Sequence, residues 1–357
     1  MGNSFAERTK QFWEWFGMNE PRLDTLLQQA NPELASEELI ETFRQGLSLL
    51  ANDLSFNVGG DHEFSFAVNI DNAQFFLLPY VVANMPEQFR DKWTFHPWMQ
   101  PAREKDLSIR MHGVEVSSDN VMVQVYKNED GMLADMRFFA KELKRLKDDQ
   151  AYEIFYTLAG SIIGEALGAC CIGIVKRARS LKRDMIPLTQ LEDWLRSHLC
   201  ENGELPSPAD SGSVYTMIPS EGKPRMDIIT GYTHHVPLIE GYYGGDSAAY
   251  DRFVEFGAKP AFLYYSHIET VNSLDPALGE RNTLMEKLDA EILGASGSGQ
   301  EIGLLMGAAL GESCAYIDLL LYDEQAFLER AKAFFTGFPR SVIYKEYVDG
   351  GEELVLC

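Results

Sequence analysis

The chain has 357 residues, of which 45% are apolar and 24% charged, and its 54 Asp and Glu outnumber 31 Lys and Arg for a formal net charge of −23. That balance excludes a fibrous or disordered chain, and the length suffices for two cores of ordinary size. The acidity argues against nucleic acid or an anionic membrane surface as a partner, because both are bound through neutralising cations.

The opening MGNSFAERTKQFWEWF has no basic segment followed by an apolar run, and no apolar stretch approaches the roughly 18 residues of a membrane span. A cytoplasmic protein without membrane association is expected. Cys170, Cys171, Cys200, Cys314 and Cys357 are odd in number and read as reduced thiols, not as a disulfide framework.

In chain order, FAERTKQFWEWFG and EPRLDTLLQQA predict two short amphipathic helices, with Pro21 early in the second. SEELIETFRQGLSLLA predicts a longer helix capped by Ser36, with Leu39, Phe43, Leu47 and Leu50 on one stripe. Two alternating runs around Gly59-Gly60 predict a hairpin. A buried helix over AQFFLLPYVVANM and a strand at KWTFHPWMQ follow. LSIRMHGVEV and NVMVQVYKNE read as one strand each, and the stretch from Ala134 to Gly160 as a helix that the first Gly-Glu, Gly164-Glu165, closes.

The Pro-, Gly- and Ser-rich ENGELPSPADSGS at 201–213 reads as a linker. It divides a domain at 1–200, with a helical lead-in over 1–51, from a second domain at 214–357. The latter alternates strands at SVYTMI, RMDIITGYT, AFLYYSHIE, AYIDLLLYD and SVIYKEYV with helices at SAAYDRFVEFGA, LGERNTLMEKLDAEIL and EQAFLERAKAFFTG.

Two phrases recur in both halves. Phe89-x-x-Lys92-x-x-Phe95 matches Phe256-x-x-Lys259-x-x-Phe262, and the Gly164-Glu165 stretch matches Gly311-Glu312. The shared order predicts an internal duplication, with both glycines ending a helix at positive φ. Glu165 and Glu312 would then either accept backbone hydrogen bonds in the turn or face a cleft. The expected fold class is α+β: two related domains of ferredoxin-like type, each a mainly antiparallel sheet with helices on one face, after a helical N-terminal segment.

Tyr316, Asp318, Tyr322, Asp323 and Phe327, in GAALGESCAYIDLLLYDEQAFLERA, form a Tyr-x-Asp strand leading through an acidic turn into a Phe-containing helix. This segment resembles the ribonuclease E activity regulator B family, which implies a small bacterial ferredoxin-like domain. The aromatic N-terminal helix together with KWTFHPWMQP is similar to uncharacterised bacterial proteins of toxin-immunity neighbourhoods. Neither resemblance carries catalytic residues.

Among chemistry-bearing residues, His234 and His235 adjoin Glu240 and Asp246, but neighbouring histidines on a strand face opposite ways and make a poor metal pair. No metal or other cofactor is expected. Trp93 and Trp98, with His96 between them, suit either a core or a binding surface. GASGSGQ at 294–300 lacks the Lys and Ser/Thr of a phosphate loop, and KRARSLKR at 176–183 reads as a solvated strand end or internal charge complement. There is no nucleophile elbow.

Two functions are compatible with these readings. The first is a non-enzymatic binding or regulatory protein, immunity-like, that meets a basic protein partner through its acidic surface. The alternative is an enzyme or small-ligand-binding protein with a site between the halves at Arg225, Asp227, Tyr232 and His234.

Overall fold

The computed structural model describes residues 3–28, 32–59, 61–69, 72–267, 275–294 and 297–357, without the side chains of 32–36 and 275. It is a mixed helix and sheet structure. Helix α1 (Phe5–Gln28) is one continuous helix where two were expected. Pro21 lies inside it, and an internal proline costs about 3 kcal/mol. Beyond the proline the apolar stripe stays in phase, and burying Leu23 and Leu26 at roughly 1.5–3 kcal/mol each offsets that cost. Helix α2 (Pro32–Leu47) packs against α1. It begins upstream of Ser36, so the expected cap falls within the helix.

Strands β1 (Ser55–Gly59) and β2 (Glu63–Ala67) form the expected antiparallel hairpin, with Gly60 outside the described residues. Helices α3 (Gln74–Ala83) and α4 (Glu87–Arg90) lead to β3 (Thr94–His96), which lies parallel to β2. The core here is aromatic, with Phe16 meeting Phe89, Trp93 and Phe95 edge to face. This core continues into the C-terminal half through Phe253, Phe256, Leu320 and Tyr322. Tyr322 Oη donates to the Phe76 carbonyl at 2.9 Å.

A second core lies between residues 107 and 205. Strands β4 (Ser108–Met111) and β5 (Val114–Ser117) are a hairpin where a single strand was expected. Both turn residues, His112 and Gly113, have positive φ (49° and 76°), which suits a two-residue hairpin loop. Strand β6 (Met122–Lys127) pairs with β7 (Ala134–Phe139), a strand in place of the expected start of a helix. In β7 the buried Ala134, Met136 and Phe138 alternate with more exposed residues, and that period of two selects the strand. Helix α5 (Asp148–Cys171) crosses over to β8 (Ile172–Arg177), which runs parallel to β7. Strand β9 (Ile186–Pro187) completes a sheet of order β8-β7-β6-β9, and α6 (Leu191–Leu199) packs beside α5. Helix α5 is long and apolar enough to cross a membrane by length and composition, yet over half of its apolar window is buried inside the protein.

The C-terminal half contains β10 (Ser213–Thr216), β11 (Ile228–Thr233), α7 (Val236–Gly244), α8 (Ala248–Glu255), β12 (Lys259–Ser266) and α9 (Asp275–Leu288). A π-helical turn, β13 (Gly303–Gly311), β14 (Cys314–Leu321), α10 (Glu324–Phe334), β15 (Ile343–Glu346) and β16 (Glu353–Val355) follow. The seven strands are antiparallel in the order β10-β11-β13-β14-β12-β15-β16. Leu263, Ile317 and Leu319 pack against α9 and α10 on one face. Phe262 and Tyr316 pack against α7 and α8 residues Leu238, Tyr242 and Tyr250 on the other. Helices therefore cover both faces of this sheet, not one as expected, because its central strands are apolar on both sides.

The repeated phrases lie in different elements. Gly164 interrupts α5 at φ 71°, whereas Gly311 ends strand β13 and is not among the positive-φ residues. Ala308, Ala309 and Leu310 are all 2% exposed or less, so the apolar run is a central strand buried on both faces, a pattern that periodicity does not separate from a buried helix. Lys92 precedes β3, whereas Lys259 opens β12.

Candidate functional site

Glu165 performs turn chemistry at a junction of the first half. Its Oε2 accepts from the backbone N–H of Val68 (3.0 Å) and Met99 (2.9 Å), and its Oε1 from that of Asn69 (2.6 Å). One carboxylate thereby joins α5 to two loops. Gly164 permits the approach, because a Cβ there would stand 2.7 Å from Pro101 N and 2.8 Å from Met99 O. Glu312 does not share this role. It is exposed at the tip of the β13–β14 turn.

Arg225 is fully buried and pairs through both terminal nitrogens with Asp318 of β14. Tyr215 Oη accepts from Nη2 at 2.8 Å, and the guanidinium lies about 5 Å from the ring centres of Phe262, Tyr316 and Tyr347. Burial opposes both charges. Asp318 nevertheless holds the guanidinium well above its ordinary pKa, while burial pushes the Asp318 carboxyl up against the pull of Arg225. Arg225 has φ 79°, and its own N–H donates to Tyr316 Oη at 3.0 Å. The group is sealed from solvent, so it anchors the 217–227 loop to the sheet.

Asp227 fastens the adjacent turn. Its Oδ2 accepts from the N–H of Ser313 (3.1 Å) and Cys314 (3.0 Å), and its Oδ1 from Tyr316 Oη (2.5 Å). Tyr232, half-buried on β11, and His234, just beyond it, stand apart from this pair, with their rings edge to face at 5.9 Å. Of the four residues expected to share one site, the structure brings Arg225 and Asp227 into one network and places His234 elsewhere.

His234 lines a crevice of about 230 Å³ between the halves, together with Asn72, Phe76, Cys170, Ser211 and Pro237. Its Nδ1 donates to the Ser211 carbonyl at 3.2 Å. Ser211 Oγ donates to Cys170 Sγ at 3.4 Å. Burial pushes the Cys170 thiol up, the opposite of what a thiolate nucleophile requires. His235 also borders the crevice but is buried and caps α7, its Nδ1 accepting from Leu238 N–H at 3.2 Å. The crevice can hydrogen-bond a small polar molecule, but it falls below the roughly 300 Å³ at which ordinary ligand sites begin.

Trp93 is 1% exposed and belongs to the core, where its Nε1 donates to Glu20 Oε1 at 3.0 Å, so it presents no binding surface. Trp98 is half-buried, edge-on to Phe75 at 5.8 Å. Asp318, Tyr215 and Cys170 were not singled out as site residues from sequence. Only the Tyr316-x-Asp318 pattern, a carboxylate in an otherwise apolar strand, signals one of them. Among the described residues, no group of three His, Cys, Asp or Glu could hold a metal ion. No protein-family model, curated protein or solved structure matches the chain.

Proposed function

We propose that this chain is a cytoplasmic, non-enzymatic binding or regulatory protein, immunity-like in kind, that engages a basic protein partner through its acidic surface. The supporting observation is how the charge is distributed. Residues 137–147 and 176–183 hold ten of the 31 Lys and Arg and one Glu, so 21 Lys and Arg face 53 Asp and Glu over the rest of the chain. The surface outside that patch is more negative than the net charge implies. Exposed carboxylates recur there at Glu37 and Glu41 on α2 and at Glu286, Asp289 and Glu291 around the end of α9. Such a field steers a basic partner and is screened by salt.

In the same reading, the unit from β12 to β15 is ferredoxin-like. Its strands lie fourth, first, third, second across the sheet, with α9 and α10 on one face. Among the described residues, the four-stranded sheet of the first half has the order β8-β7-β6-β9.

The alternative is a small-ligand site in the crevice at Cys170 and His234, favoured by the convergence there of polar groups from both halves. Capture of a partner by the full chain at low salt, followed by stopped-flow mixing of the purified pair, separates the readings. A basic partner whose association slows steeply with salt supports the first, and an acidic or salt-indifferent partner removes it.

A further inference from the structure

Four of these ten cations, Lys144, Lys176, Arg177 and Arg179, line a cleft of about 560 Å³ at the ends of β7 and β8, with Phe139, Tyr152 and Asp148. Arg177 ties its walls together. Its Nη1 donates to the Leu146 carbonyl (3.0 Å) and Asp148 Oδ1 (2.7 Å), and its Nη2 reaches the Leu143 carbonyl. Lys144 sits over the Phe139 ring at 5.3 Å.

Elsewhere in the chain cations are commonly paired, as Lys92 is with Glu20, Lys105 with Glu192 and Lys259 with Glu346. In the cleft Lys144, Lys176 and Arg179 are exposed, as are Arg137, Lys182 and Arg183 outside its lining, and none of the six forms an ion pair with a described residue. Arg137 and Lys176 are direct cross-strand neighbours, and both are exposed. Like charges at such positions repel, a cost that a bound anion relieves. The one carboxylate in the cleft lining, Asp148, is engaged with Arg177, and Asp184 outside the lining accepts from Gln124 (2.6 Å).

We infer that this cleft binds a compact, multivalent phosphate-bearing anion. Its volume is that of a small-molecule site, and its three unpaired cations, Lys144, Lys176 and Arg179, call for an anion of high charge density. An acidic peptide adding as a strand is disfavoured. At the cleft end of edge strand β8, Tyr152 Oη already accepts from Arg177 N–H (3.1 Å) and reaches the Val175 carbonyl (3.5 Å). A long nucleic acid would leave the patch for a strongly negative surface. The inference does not rest on the basic-partner reading.

The test is calorimetric titration of the full chain with inorganic tripolyphosphate and with ATP at low salt, beside oligo-dT and poly-glutamate. One saturable site for tripolyphosphate is expected, weakened at least tenfold by the double substitution Lys176→Glu with Arg179→Glu and unchanged by Lys287→Glu on α9. Equal affinity for ATP assigns recognition to the phosphate chain alone, and tighter ATP binding adds the base against the Phe139 and Tyr152 rings. Both results support the inference. It is overturned if tripolyphosphate shows no saturable binding at millimolar concentration, if Lys287→Glu weakens binding equally, or if only oligo-dT or poly-glutamate binds. Thermal melts of the variants verify folding, which substitution at these exposed positions should leave intact.

Discussion

Gly311 and Asp227 occupy one space: a β-carbon on Gly311 would stand 2.2 Å from Asp227 Oδ2. The strand end therefore needs glycine so that a carboxylate can lie across it, and φ has no part in the requirement. Gly311→Ala should displace Asp227 from Ser313, Cys314 and Tyr316 and cost about 1–3 kcal/mol. In chemical denaturation, Asp227→Ala should cost a similar amount, and the double variant clearly less than the sum. Full additivity would show that the two do not share a site.

At Glu165 the prediction concerns acceptor geometry. Glu165→Gln replaces one of two accepting oxygens with a donor, which leaves at least one of the Val68, Asn69 and Met99 N–H groups facing an N–H. A loss of about 1–3 kcal/mol is expected by urea denaturation. Gly164→Ala should be as damaging or worse, because it combines positive φ with contact at Pro101 and Met99.

The ease of reading these elements from sequence varied with range. Helix α3, the β1–β2 hairpin and the alternation of helices and strands in the C-terminal half were legible from local pattern. Residues 303–311 read as helix because a short apolar run looks alike in a helix and in a strand buried on both faces, whereas 134–139 carry a period of two that the helical pattern downstream of them masks. The break expected near Pro21 is overridden by the core under Leu23 and Leu26. Arg225 and Asp227 were expected in a site between the halves, but the partner of Arg225 lies 93 residues away in sequence. The pairing of Cys170 with Ser211 is equally a product of tertiary structure.

Breaking the Arg225–Asp318 pair should be the most destabilising of these changes. Asp318→Asn leaves a buried guanidinium without its counter-charge and is expected to cost about 3–5 kcal/mol. Replacing both residues with apolar ones of similar volume should cost less than either single change. Thermal unfolding of the three variants tests the ordering, and a mild Asp318→Asn would mean that the guanidinium finds solvent.

Asp24 carries a pH signature. Hydrogen bonds from Lys92 and His62 hold its carboxyl down at about 2. A folded-state pKa below the unfolded value of about 3.9 means that the contribution is present above that pH and is lost as pH falls toward 2. Lys92→Met should raise the Asp24 pKa toward the ordinary range and flatten the acid limb of the stability curve between about pH 4 and 2. NMR titration of the Asp24 side chain in both proteins is the measurement.

The proposed engagement of a basic partner through the acidic surface is tested most directly by the association rate constant as a function of salt. With a Debye length of about 8 Å at physiological ionic strength and about 30 Å at 0.01 M, steering that operates in dilute buffer is largely screened at physiological salt. The expected result is a basic partner whose association slows by at least tenfold between about 10 and 150 mM salt, with dissociation changing far less. An acidic partner, or an association rate that does not move across that range, would contradict the account.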